Sequence, residues 1–205
     1  MKRSIILLTM LFATAAAFAA TPKPVASYDG GRLRNGRAHG EGTVHFKDGD
    51  TYTGMLRNGR PHGSGVYTTA AGDTCICRWR HGYQQGQGVM LEADGCRYIG
   101  NWSKGKRQGD GVYIWDNGDR YVGEWQDDEM CGYGTLCMAN GDRYVGTFEH
   151  GKKHGKGVYI WANGDRYEGD FRDGEITGVG VLYVDCGAYY LYGVFENGEL
   201  LQQLE

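Results

Sequence analysis

Tyr98-Ile99-Gly100-Asn101-Trp102, then Ser103 to Gln108, then Gly109-Asp110-Gly111-Val112-Tyr113-Ile114-Trp115 and Asp116-Asn117-Gly118-Asp119, is the stretch that decides the fold. Two short runs rich in aromatic and β-branched residues are separated by turn residues, which is the pattern of a β-hairpin. Asn117-Gly118 suits a two-residue type I′ turn, in which both residues take positive φ. Such a turn predicts a register: Trp115 faces Arg120, Ile114 faces Tyr121 and Val112 faces Gly123. Directly opposed residues share a face of the sheet. One face then carries Tyr98, Trp102, Val112, Ile114, Tyr121 and Trp125. The other carries Tyr113, Trp115, Arg120 and Val122.

The pattern recurs every 23 residues in both directions. Gly49, Gly72, Gly95, Gly118, Gly141, Gly164 and Gly187 form one row, and Gly40 to Gly178 and Gly42 to Gly180 form two more. Two further rows are nearly complete, one interrupted by Cys77 and one by Asp128. Seven units tile residues 29–189 without insertion or deletion, residues 190–205 make a partial eighth unit and C-terminal cap, and residues 21–28 read as a linker. The 36 glycines among 205 residues are therefore the repeat itself. With 3 prolines and no glycine at every third position the chain is not collagen. A large helical protein is disfavoured, since each interior Gly costs ~1 kcal/mol relative to Ala. The expected fold is all-β: an elongated single-sheet solenoid of antiparallel β-hairpins, ~65–70 Å long for seven units at ~4.8 Å per strand. Its core spine would be Tyr52, Tyr98, Tyr121, Tyr144 and Tyr167, beside Leu33, Leu56, Trp79, Trp102, Trp125, Phe148, Phe171 and Phe195.

The first twenty residues read differently. Lys2 and Arg3 precede an apolar run from Ser4 to Phe18, and Ala17-Phe18-Ala19 fits signal-peptidase cleavage. The run is shorter than the ~20 apolar residues of a spanning helix. Residues 1–20 are expected to be a bacterial signal peptide, and the mature protein periplasmic or secreted. Cys75, Cys77, Cys96, Cys131, Cys137 and Cys186 remain after cleavage, and an even count in an exported chain suggests disulfides. In the expected register Cys96 faces Ala93 and Cys137 faces Tyr144, so no direct cross-strand pair forms. Cys75 and Cys77 lie two apart on one strand, where a bridge would be strained.

The unit Tyr-x-Gly-x-Trp-x-x-Gly-x-x-His-Gly-x-Gly resembles the MORN (membrane occupation and recognition nexus) repeat. Tyr144, Gly146, Phe148, Gly151, His154, Gly155 and Gly157 match it best. The resemblance implies a scaffold or attachment module without enzyme activity, holding other proteins or contacting phospholipid head groups. Cys75 and Cys77 stand in place of Tyr and Gly in the third unit, and Asp128 and Cys131 in place of Gly and His in the fifth.

Site candidates divide into rows. His39, His62 and His154 share one repeat position, but adjacent units hold it ~10 Å apart, so the row is expected to cap turns and hold no metal. Asp50, Asp73, Asp119, Asp142 and Asp165 follow the turn glycine and read as turn residues. Arg97, Arg120, Arg143 and Arg166 form a row, with Arg120 expected to face Trp115 and Arg166 to face Trp161; it serves either cross-strand cation–π packing or binding. Basic residues gather in the first loop of most units, among them Arg34, Arg37, Arg57, Arg60, Lys104, Lys106 and Arg107. The full chain has net charge −3 and loses two basic residues on cleavage, which argues against nucleic-acid binding. There is no G-x-S-x-G, H-E-x-x-H, Walker or C-x-x-C motif, so neither catalysis nor a cofactor is expected.

These observations point to a non-catalytic exported scaffold. It would bind an unidentified protein partner through Trp115, Arg120, Arg143, Trp161 and Arg166 and through variable loops. The alternative is peripheral binding to an anionic membrane surface through the seven basic loop residues. Self-association, as a homodimer or a structural filament, is a third possibility.

Overall fold

A computed structural model describes residues 23–205, and the expected leader lies outside them. Contacts divide the described chain into two compact units, residues 23–116 with 126–128 and residues 117–125 with 129–205. The first holds β1 (Val25–Asp29), β2 (Arg32–Arg34), β3 (Arg37–Phe46), β4 (Thr51–Arg57), β5 (Arg60–Thr68), β6 (Thr74–Arg80), β7 (Tyr83–Leu91), β8 (Arg97–Ser103) and β9 (Lys106–Ile114). The second holds most of β10 (Arg120–Gln126), then β11 (Glu129–Cys137), β12 (Arg143–Glu149), β13 (Lys152–Ile160), β14 (Arg166–Arg172), β15 (Glu175–Val184), β16 (Tyr189–Glu196) and β17 (Glu199–Gln203). Within each unit consecutive strands pair antiparallel, as the hairpin pattern requires. β1 and β2 together line β3. Residues 25–28, expected in a linker, are thus part of an edge strand.

Two kinds of turn alternate. Asn58-Gly59 and His150-Gly151 are two-residue turns with both φ positive, at 54° and 75° and at 48° and 75°. These are the type I′ turns, and they fall in what the sequence suggested were the longer loops. The expected type I′ site is a three-residue turn instead. At Trp161 to Asp165, the Gly164 amide donates to Trp161 O at 2.9 Å and the Trp161 amide to Asp165 O at 2.9 Å. Gly164 has φ +87°, whereas Asn163 stays at negative φ and its Oδ1 accepts the Asp165 amide at 3.1 Å. This is a type I turn closed by a G1 bulge.

One extra turn residue moves the pairing by one and turns a strand over. Tyr159 pairs with Tyr167 and Ile160 with Arg166, so Trp161 does not face Arg166. Tyr113 and Tyr159 join the core face, where they are buried, while Val112 and Ile114 leave it and are half-buried. Cys137 pairs with Arg143 and not Tyr144. The expected spine survives, because its members lie on strands that keep their parity. Tyr52, Tyr98, Tyr121, Tyr144 and Tyr167 are buried, beside Leu56, Trp79, Trp102, Trp125, Phe148, Phe171 and Phe195. Leu33 is the exception at 63% exposure, on the short edge strand β2.

Each spine tyrosine folds back on its own strand. The Tyr144 hydroxyl donates to Thr147 O at 2.9 Å, and its ring meets Phe148 and Phe171 edge-on at 5.2 and 4.9 Å. The turn aspartates tie hairpin to hairpin. Asp142 accepts the Ala162 amide at 2.8 Å and the Tyr159 hydroxyl at 2.7 Å, and Asp50 accepts Ala70 and Tyr67 in the same way at 2.9 and 2.6 Å.

Candidate binding surface

Because side chains alternate along a strand, burying the tyrosines turns every other residue to the opposite, outer face. In the first unit that face carries a cross-strand row of Thr53, Val66, Ile76, Val89, Ile99 and Val112. Val66, Ile76 and Ile99 are exposed at 36, 48 and 48%. Arg97 lies two residues from Ile99 on the same face, exposed. In the second unit the corresponding row is Thr135, Val145, Val158, Glu168, Val181 and Tyr192. Arg143 stands beside it, opposite Ile160, and Arg166 stands opposite both Ile160 and Tyr183. The sequence reading missed this β-branched row, since its register had sent Val112 and Ile114 to the core. The signal was there in the 23-residue recurrence of Ile76, Ile99, Val122 and Val145.

The five expected partner-binding residues differ in exposure. Arg120 and Arg143 are exposed. Arg166 is half-buried, with its guanidinium 4.2 Å from the Tyr183 ring centroid and Nε 2.9 Å from Glu168 Oε1. Its aromatic partner is on the next strand, not Trp161. Trp115 and Trp161 are half-buried and pack on the core-face rings of Tyr113 and Tyr159, with centroids 4.8 and 4.9 Å apart.

Of the basic residues, Arg34, Arg37, Arg57, Arg60, Lys104 and Lys106 are exposed beside the type I′ turns. Arg107 is not available to a surface ligand. It is 2% exposed, with Nε 3.2 Å from Asp128 Oδ1, Nη2 donating to Asp128 O at 3.1 Å, and its guanidinium over the rings of Tyr98 and Tyr113. The second residue after each two-residue turn points to the core face. Pro61, Gln84, Met130 and Lys153 occupy that place in other hairpins. Asp128, the break in the glycine row, is the counterion of Arg107. At Lys153 no such partner was supplied: Nζ lies 4.6 Å from the Tyr159 ring centroid, and burial lowers the ammonium pKa to about 8 against a weaker opposing pull from Asp142.

No disulfide joins the six cysteines in the structure. Cys75 and Cys77 are buried with sulfurs 2.7 Å apart, in the space that a tyrosine ring fills over glycine elsewhere. The hydrogen bond with Cys75, then burial, pushes the Cys77 thiol up. Cys96 takes the place of a turn aspartate; Cys131 and Cys137 are half-buried and Cys186 is exposed. Among the histidines, His154 Nε2 lies 3.3 Å from Glu149 Oε2, while His39 and His62 each bury an Nδ1 that makes no hydrogen bond.

Comparison with family models agrees with this anatomy. The MORN repeat model matches residues 31–51, 52–74, 78–97, 98–120, 121–143, 144–166 and 167–185. No curated protein sequence matches the chain. Among solved structures, the SAS-4 (dCPAP) TCP domain of Drosophila melanogaster, in complex with a proline-rich motif of Ana2 (dSTIL), is similar at 12% identity and a TM-score of 0.46, over 80% of this chain and 94% of that one. The wild-type TCP10 domain of Danio rerio CPAP, in complex with a peptide of STIL, is similar at 14% identity and a TM-score of 0.24, over 77% and 82%. The seven in-phase matches, with the tyrosine and glycine rows they describe buried as a repeated hairpin core, make this chain a member of the MORN repeat family.

Proposed function

We propose that the chain is a non-catalytic scaffold that holds a protein partner on its outer sheet face. The observation that carries this reading is the exposed β-branched row of Val66, Ile76 and Ile99, flanked by arginine. A sheet face with apolar side chains in register and cations beside them fits a segment that alternates apolar and acidic residues. Repetition of the pattern every hairpin gives many weak contacts at fixed spacing. The reading includes export, for which the basic and apolar start of the chain speaks.

The test is affinity capture with the full mature protein and with Val66→Thr/Ile76→Thr/Ile99→Thr. Threonine keeps the strand propensity and already occupies the row at Thr53. Capture of one protein by the wild type and at least a tenfold loss with the variant are expected. Equal capture by both would remove the outer face from consideration. Attachment to anionic phospholipid through Arg34, Arg37, Arg57, Arg60, Lys104 and Lys106 is the second reading, favoured by the exposure of these residues.

A further inference from the structure

Successive type I′ turns lie side by side, and residues 21 apart face one another across them. Two such pairs are ionic, Lys106 with Asp127 at 3.3 Å and Lys152 with Asp173 at 3.8 Å, and in a third His150 Nδ1 lies 3.0 Å from Glu129 Oε2. The same spacing nearer the N-terminus pairs Arg37 with Asn58 and Arg60 with His81. Where the later turns supply a carboxylate, these supply an amide and an imidazole.

The cation excess is compounded within the hairpins. Arg34 pairs directly with Arg37, and Arg57 with Arg60. Like charges directly opposed destabilise a hairpin, and the later hairpins avoid this with Glu149 opposite Lys152 and Arg172 opposite Glu175. Arg37, Arg57, Asn58, Arg60 and His81 line a cleft of about 340 Å³. Its frame is fixed. The Gly59 amide donates to Ala38 O at 2.8 Å and the Gly82 amide to Pro61 O at 3.0 Å, so adjacent turns are bonded. A Cβ on Gly59 would lie 3.6 Å from that of Arg37, which places the arginine stem against the next turn. The potential reaches inward: burial first, then Arg57, His81 and Arg80, push the neighbouring His62 imidazole below its ordinary value.

We propose that the cleft between Arg37, Arg57, Arg60 and His81 is a binding site for a compact, multiply charged phosphate-type oxyanion, such as a phosphomonoester or pyrophosphate. Guanidinium forks match the oxygens of a tetrahedral anion, and Asn58 adds an amide donor. The anion serves as the counterion that the later turns carry in their own sequence. The site does not depend on the outer face; it shares Arg37, Arg57 and Arg60 with the phospholipid reading and extends that reading to a free anion, and the soluble and vesicle arms below fail separately.

The experiment is calorimetric titration of the full mature protein with pyrophosphate and with inorganic phosphate, at constant ionic strength set by chloride. Flotation with vesicles bearing a phosphomonoester head group, against vesicles of neutral lipid, forms a second arm. Arg57→Gln/Arg60→Gln is compared throughout, with its melting temperature as the check on folding. We expect saturable binding of the wild type that weakens at least tenfold in the variant. In phosphate-free buffer the variant should melt higher than the wild type, since it lacks the opposed arginines, and pyrophosphate should raise only the wild type. Binding of the soluble anion identifies a free ligand; binding to vesicles alone identifies the same group on a lipid. No binding in either arm, or equal binding and equal thermal shifts in both proteins, would overturn the proposal.

Discussion

The ring of Tyr144 lies against Gly157 on the paired strand so closely that a Cβ on Gly157 would fall 2.5 Å from both Cε2 and Oη of the tyrosine. Gly157 does not have a positive φ, so its glycine is demanded by space alone. Overpacking at such a contact costs about 1–3 kcal/mol. Gly157→Ala should lose that much stability in urea unfolding. Tyr144→Phe keeps the ring and gives up the bond to Thr147 O, and should lose only about 1 kcal/mol.

Cys75 and Cys77 fill together the place of a tyrosine over a glycine. Cys75→Tyr alone sets a ring against the Cys77 side chain, and Cys77→Gly alone opens a void. The double substitution rebuilds the arrangement of Tyr98 over Gly100 and should be more stable than the two single losses predict by about 1–3 kcal/mol. Urea unfolding of the four proteins in reductant measures this coupling.

Arg107 and Asp128 form a pair in which the arginine is buried and the carboxylate a quarter exposed. Removing the Asp128 carboxylate takes its ion-pair partner from the buried guanidinium. Asp128→Gly should cost about 2–3 kcal/mol, although it restores the glycine of the repeat. Arg107→Met/Asp128→Gly, which copies Met130 from the next hairpin, should return close to wild type in the same assay.

Lys153 carries a pH signature. Its folded pKa is about 8, against 10.5 for a free lysine, so between these values the unfolded chain binds more protons than the folded one. Stability contributed by this site therefore rises with pH across that window. Lys153→Met should raise the melting temperature at pH 7. It should also abolish the alkaline rise relative to wild type, measured as the difference between the two melting curves from pH 7 to pH 10.

The tyrosine and glycine rows were legible because a 23-residue recurrence repeats the same environment in each hairpin. The turn assignment was not. Asn-Gly fits both a type I′ turn and the end of a type I turn with a G1 bulge, and both occur, at Asn58-Gly59 and Asn163-Gly164. Local chemistry does not separate them; the core face does, by accepting Tyr159 rather than Ile160. That single step hid the outer β-branched row and paired Arg166 with the wrong ring. Arg107 was misplaced for another reason, since a cation beside a turn reads as solvated unless the broken glycine at Asp128 is recognised as its partner.

The outer face is tested most directly by a photo-crosslinking side chain introduced at Ile76 or Ile99 in the source cells, with Lys47 on a turn as the control. The account predicts one discrete adduct with a partner protein at both face positions and none at Lys47. Full-length protein without adducts at Ile76 and Ile99, or with the same adduct at Lys47, would contradict it.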